Sequence, residues 1–166
     1  MARPLIVAID GPAGAGKSSV SKTLALRLNF TLVDTGAIYR CIALKASRSG
    51  VAFDDLPGLQ KLLDVVKVSF RMDEDKNHVF LDGQDVSEAI RTSEISLAAS
   101  KVSSQPVVRN ALLELQRRLA LAAEHGAILE GRDIGTVVFP DADIKVFLFA
   151  DPAVRAERRY EELFQK

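Results

Sequence analysis

The period of the apolar positions changes several times along the 166 residues. Pro4-Leu5-Ile6-Val7-Ala8-Ile9-Asp10 is a short unbroken apolar run, the pattern of a buried strand over 4–10. After a glycine-rich stretch, Val20, Leu24 and Leu28 recur every fourth residue, which predicts one face of a helix over 16–29. Thr31-Leu32-Val33-Asp34 reads as a second strand, and residues 37–48 as a helix that ends at Gly50. Pro57 suits the first turn of another helix that runs to Val66. The period then becomes two. Residues 67–72 and 78–81 alternate like strands around the polar stretch 73–77, so a hairpin is inserted between helical segments. Helices are expected over 85–91 and 94–124, the second broken near Pro106. Ala127–Glu130 and Ile144–Phe149 read as buried strands, and a last charged helix starts near Pro152. Strands alternating with helices predict an α/β fold with a central parallel sheet, plus a small antiparallel sheet from the insertion.

The glycine-rich stretch carries the chemistry. Gly11-Pro12-Ala13-Gly14-Ala15-Gly16-Lys17-Ser18 matches G-x-x-x-x-G-K-[ST], the phosphate-binding loop of P-loop nucleoside triphosphatases. Glycines let the backbone turn tightly and bring its N–H groups against phosphate oxygens. Lys17 is placed to reach the β- and γ-phosphates of ATP, and the Ser18 hydroxyl to hold Mg²⁺. The helix that starts at the end of the loop points its positive end at the anion. Strand, loop and helix in that order are the context this motif requires, and they point to a three-layer α/β/α P-loop fold.

Composition narrows the rest. Hydrophobic residues make up 48% and charged residues 27%, enough for a sizeable core. Lys+Arg and Asp+Glu are equal at 22 each, so nothing in the bulk charge draws the chain to a nucleic acid polymer or an anionic membrane. Anion binding must therefore be local. No run of 18 apolar residues predicts a transmembrane helix, and the N-terminus lacks a secretory pattern. The single cysteine, Cys41, cannot form an internal disulfide and fits a reducing, cytoplasmic setting. It reads as a small core residue of a helix.

Three other patterns fail on inspection. Asp73-x-Asp75-x-Asn77 begins like a calcium loop, but His78 and Gln84 stand where Gly and Glu are needed, so a hairpin turn is expected. Asp55-Leu56-Pro57-Gly58 is formally a D-x-x-G, yet it follows no strand. His78 and His125 are placed in loops without cysteine partners, which argues against zinc. Two clusters do carry chemistry. Asp34-Thr35-Gly36-Ala37-Ile38-Tyr39-Arg40 and Glu130-Gly131-Arg132-Asp133 each leave the C-terminal end of a strand, where ligands bind in open α/β sheets. Taken alone, each cluster fits a capped helix start with a solvent ion pair as well as it fits an anion site.

Read together, IDGPAGAGKSS, VDTGAIYR, LDGQDVSEAIRT, ASKVSSQPVVR, EGRDIGTVVFPDADIKVFL and VRAERRYEEL resemble the bacterial cytidylate kinases, the CMP kinases of the nucleoside monophosphate kinase family. The likeness runs in order over nearly the whole chain. It implies the reaction ATP + CMP or dCMP ⇌ ADP + CDP or dCDP with Mg²⁺, in a cytoplasmic monomer. It implies a core from 1–34 and 111–150, a monophosphate-binding region over 35–110, and the start of a lid over 151–166. Residues Gly11, Pro12, Ala13, Gly14, Ala15, Gly16, Lys17, Ser18 and Ser19 would hold ATP. Thr35 and Tyr39 lie in the acceptor region. Ser100, Arg109 and Asp133 match positions that contact cytosine, and Arg40 and Arg132 match arginines that clamp the acceptor phosphate. A carboxylate or hydroxyl oxygen can accept from the cytosine amino group, and a guanidinium can donate to N3 and O2. Paired arginines neutralise phosphate bidentately.

Arg155, Arg158 and Arg159 stand at i, i+3 and i+4 on the last helix and share a face. The resemblance gives them to a lid over the phosphates, whereas a surface helix laced to Glu157, Glu161 and Glu162 is the plainer alternative. The family continues for some tens of residues past the point that matches Lys166, and a sugar-contacting segment is expected there. Two other functions fit the loop alone: a kinase for a different small acceptor, and a nucleotide-binding module without turnover. The set Ser100, Arg109 and Asp133 argues against the first, because a non-nucleotide acceptor has no use for it, and an ADP-release assay separates the second.

Overall fold

A computed structural model describes residues 3–73 and 76–164, with only the backbone of Glu162 and Leu163. The chain divides into two compact units, Met1–Val33 with Ala120–Lys166, and Asp34–Leu119.

The first unit is built on a four-stranded sheet in the order β2-β6-β1-β7, with β1 at Leu5–Asp10, β2 at Thr31–Asp34, β6 at Gly126–Gly131 and β7 at Ile144–Phe147. β1 pairs in parallel with both β6 and β7. Central position explains the apolar runs: Ile6–Ile9 and Ala127–Leu129 are buried on both faces. From β1 the chain crosses through helix α1, Lys17–Leu28, to β2 on one side, whereas β7 lies on the other. The C-terminal end of β1 is therefore the switch point at which such sheets bind ligands.

α1 forms as expected but presents a different face to the sheet. Ser21 and Ala25 are its buried residues, while Val20 and Leu28 are 44% and 45% exposed. Ser18, Ser21 and Ala25 fall on one face, and small side chains there let the helix lie close to the strands. β7 also differs from the buried strand expected: all four residues are exposed, because among the described residues no helix covers its faces, whereas β2 at the other end of the sheet stays buried. After β6 the backbone makes one π-helical turn, Ile134–Val138, in which the Phe139 N–H donates to the Ile134 carbonyl at 2.7 Å. No pattern in the sequence marks this turn.

In the second unit, α2 (Thr35–Arg48) buries Ala37, Ile38, Cys41 and Ile42 and packs against α3 (Leu56–Val65) and α4 (Ser93–Ser103). Burial pushes the Cys41 thiol up to about 12, so it is a core residue and not a nucleophile. Asp55 accepts a hydrogen bond from the Gly58 N–H at 3.1 Å; the D-x-x-G pattern is a helix N-cap. α5 spans Pro106–Leu121, and the break at Pro106 falls where proline placed it.

The hairpin pairs β3 (Val68–Asp73) with β4 (Lys76–Leu81), and its turn residues Glu74 and Asp75 lie outside the described residues. Thus His78 sits in a strand, not a loop. Asp82 and Gly83, both at positive φ, then turn β4 into the short β5, Gln84–Asp85. The helix expected over 85–91 is absent: β5 is followed by a single 3₁₀ turn, Ala89–Arg91. Val86 and Ile90 are both buried, and their spacing of four imitated a helix.

Asp85 organises this corner. The Ser87 hydroxyl donates to it at 2.6 Å, the Ser87 N–H at 2.9 Å, and the His78 ring lies at 2.8 Å. Together they hold its carboxyl down at about 2. A carboxyl depressed from the ordinary ~3.9 stabilises the fold above that value and loses the contribution as pH falls through the folded value. Asp85→Asn should therefore lower Tm at neutral pH, with the gap to the parent closing between about pH 4 and pH 2. Thermal melts across that range check this; a gap that stays constant would contradict it.

Candidate active site

β1 ends in Asp10, and the next six residues form the loop. Gly11 takes φ +148°, and a Cβ there would overlap the Leu148 carbonyl oxygen, so only glycine passes this point. Gly14 and Gly16 are also left-handed, and Gly16 caps α1. Neighbouring N–H groups of such a loop converge into an anion nest, and the positive end of α1 adds to it.

Each of the loop's first four carbonyls meets a cation. Lys17 Nζ donates to the Gly11 carbonyl at 2.8 Å and to that of Pro12 at 2.9 Å. Arg155 Nε donates to the Ala13 carbonyl at 2.8 Å, and an Arg158 guanidinium nitrogen to that of Gly14 at 3.0 Å. Both arginines come from α6, Pro152–Phe164, so the expected common face exists and its first two members rest on the loop. Arg159 is exposed on the same helix.

Ser18 Oγ donates to Glu130 Oε1 at 2.7 Å. Two oxygen ligands at the mouth of the loop suit a hard cation such as Mg²⁺. Glu130 is the penultimate residue of β6, and its role is not marked by any motif of the sequence. Its signal was present: a carboxylate ending the buried run Ala127–Leu129. Asp10 ends β1 in the same way and was also passed over. Its carboxylate oxygens each accept one backbone N–H, from Ile134 and from Gly135, both at 2.8 Å.

Arg132 is exposed, and it lines a cleft of about 340 Å³ with Gly11, Pro12, Phe147 and Phe149. Asp133 is half-buried, and its carbonyl accepts from the Val137 N–H at 2.8 Å and, with π spacing, from the Val138 N–H at 3.3 Å. In the second unit, Asp34 caps α2 by accepting from the Ala37 N–H at 2.9 Å. Arg40 donates through Nε to the Gly36 carbonyl at 3.1 Å and lies 3.8 Å from Asp34, which fixes its guanidinium at the start of α2. Thr35 is buried and Tyr39 half-buried on that helix. Ser100, on α4, donates to the Ser96 carbonyl at 3.2 Å, and Arg109 is exposed on α5. Among the described residues no helix is long and apolar enough to cross a membrane.

A phosphate-binding loop is common to many activities, so the wider sequence decides between them. The family model described as cytidylate kinase matches residues 7–166. The cytidylate kinase of Syntrophotalea carbinolica is 52% identical over 166 residues, covering 100% of this chain and 70% of that protein. That of Pelotomaculum thermopropionicum is 55% identical over 158 residues, covering 95% and 69%. A third, from Geobacter sp. strain M21, is 54% identical over 159 residues, covering 96% and 67%. A family match over nearly the whole chain, with relatives above 50% identity along it, places the chain in the cytidylate kinase family.

Proposed function

We propose that this protein transfers the terminal phosphoryl group of ATP to CMP or dCMP, giving ADP and CDP or dCDP. The observation that carries the reading is the loop: left-handed glycines at 14 and 16 lead into the N-terminus of α1, and its first four carbonyls are engaged by Lys17, Arg155 and Arg158. Phosphoryl transfer asks little covalent chemistry of a protein. It asks that donor and acceptor be aligned and that migrating charge be offset.

In this reading Gly11–Ser19 bind the ATP phosphates, and Lys17 moves from the loop carbonyls to the β- and γ-oxygens. Ser18 and Glu130 would hold Mg²⁺, which when bound offsets phosphate charge. Arg40 and Arg132 take the acceptor phosphate, with Thr35 and Tyr39 beside Arg40 on α2. Ser100, Arg109 and Asp133 select cytosine, Asp133 by accepting from the amino group. Arg155, Arg158 and Arg159 supply positive charge around the transferring group. The Asp34–Leu119 unit serves as the acceptor-binding region, and the protein works as a monomer. Closure of such a site excludes water from the phosphates.

ADP release measured against CMP, dCMP, UMP, AMP and shikimate tests the assignment. CMP and dCMP should be the preferred acceptors; equal turnover of CMP and AMP would refute a cytidine-selective site. Lys17→Ala should abolish turnover and leave the far-UV spectrum unchanged, and a mutant with parental kcat would remove the loop from the mechanism. Arg109→Met should weaken CMP binding by about 1–3 kcal/mol, the range for a good bidentate base contact. Asp133→Ala should narrow the preference for CMP over UMP, because the cytosine amino group loses its acceptor; titration calorimetry with both nucleotides reads this directly.

A further inference from the structure

The loop and the Arg132–Asp133 segment lie on adjacent strand ends, yet nothing in the catalytic reading says what keeps them in register. Asp10 is placed to do so. It is the last residue of β1, opposite Gly131 of β6, and is only 8% exposed. Its carboxylate spans two successive amides, Oδ1 to Ile134 N–H and Oδ2 to Gly135 N–H, each at 2.8 Å in buried surroundings. Two consecutive N–H groups converging on one carboxylate fix both the position and the tilt of the peptide that carries them. The same residue's carbonyl accepts from the Leu148 N–H at 2.7 Å, which ties it to the chain leaving β7. Gly135 leaves little room: a Cβ there would stand 3.4 Å from Asp10 Oδ2 and 3.2 Å from the Lys145 side chain.

We infer that Asp10 is a positioning residue that locks the Arg132–Asp133 segment to the donor-phosphate loop, and so sets where the acceptor sits relative to ATP. It acts through its neighbours on both sides. Gly11 follows it in the chain and opens the loop, and Asp133 precedes the two amides it holds. The donor loop has further supports in Arg155 and Arg158 and in the Asp10 carbonyl's bond to Leu148, none of which uses the Asp10 carboxylate, so its loss acts chiefly on the acceptor side. This inference rests on the CMP kinase reading for its kinetic consequences, but not for the bonds themselves.

Asp10→Asn keeps the shape and replaces one acceptor oxygen with an N–H₂ that faces another donor. The expected result is a rise in KM for CMP and a fall in kcat, together about 100-fold in kcat/KM, as for a misplacement of about 1 Å. KM for ATP should stay within about twofold of the parent, since the loop's other supports are intact. A variant with lowered Tm but parental KM values, or with equal rises for both substrates, overturns the inference. If Asp10→Asn does not fold, Asp10→Glu, which keeps both oxygens but displaces them, is judged on the same split. Amide exchange on the unmutated protein gives a reading that needs no variant and no activity. The Ile134 and Gly135 amides should exchange as slowly as those of β1; exchange at loop rates overturns the inference. An unmutated protein that fails to phosphorylate CMP refutes the proposed function instead, and leaves the exchange result to decide the role of Asp10.

Discussion

Six residues must carry the chain from a buried strand into a helix while turning their amides toward an anion, and much of the first unit follows from that. Gly11 has to slip past the Leu148 carbonyl, so β7 can approach β1 only because a glycine stands there. Gly16 ends the turn and sets the phase of α1. That phase brings Ser18 to Glu130 and, on the same face, lays Ser21 and Ala25 on the sheet. Larger side chains at 21 and 25 would lift the helix and take Ser18 away from β6.

The loop is also an electrostatic object inside a chain of zero formal net charge. Loop carbonyl oxygens left without donors would offset the positive end of the helix. Cations at Gly11, Pro12, Ala13 and Gly14 remove that opposition. Positive potential is thus concentrated at one strand end by geometry, with no excess of basic residues. Arg155 and Arg158 reach the loop because α6 starts shortly after β7, and the chain leaving β7 is held to the end of β1 by the Asp10 carbonyl.

Carboxylates at strand ends do three different jobs. Asp34 at β2 caps a helix and steadies Arg40, Glu130 at β6 meets Ser18, and Asp10 at β1 grips two amides of the π turn. Each ends a short apolar run, so in sequence they are the same signal. What separates them is which backbone or side chain the topology brings opposite, and the order β2-β6-β1-β7 decides that.

The sequence by itself determined the local elements and the loop. A glycine spacing fixes backbone conformations, an apolar run fixes burial, and a proline at 106 fixes a helix start, because all of these act within a few residues. The α/β class and the small antiparallel hairpin followed from the same patterns. Only the tertiary structure decided the rest. Val20, Leu24 and Leu28 matched a helical face, but the packing partner selected Ser21 and Ala25. Val86 and Ile90 matched a helix, but an Asp85 turn and strand pairing with β4 won. Ile144–Phe147 matched a buried strand, but among the described residues no helix packs over its faces, and it is exposed. The roles of Glu130 and Asp10 depend on partners 112 and more than 120 residues away in the chain. Such contacts are set by how strands order themselves in a sheet, and no local period encodes that order.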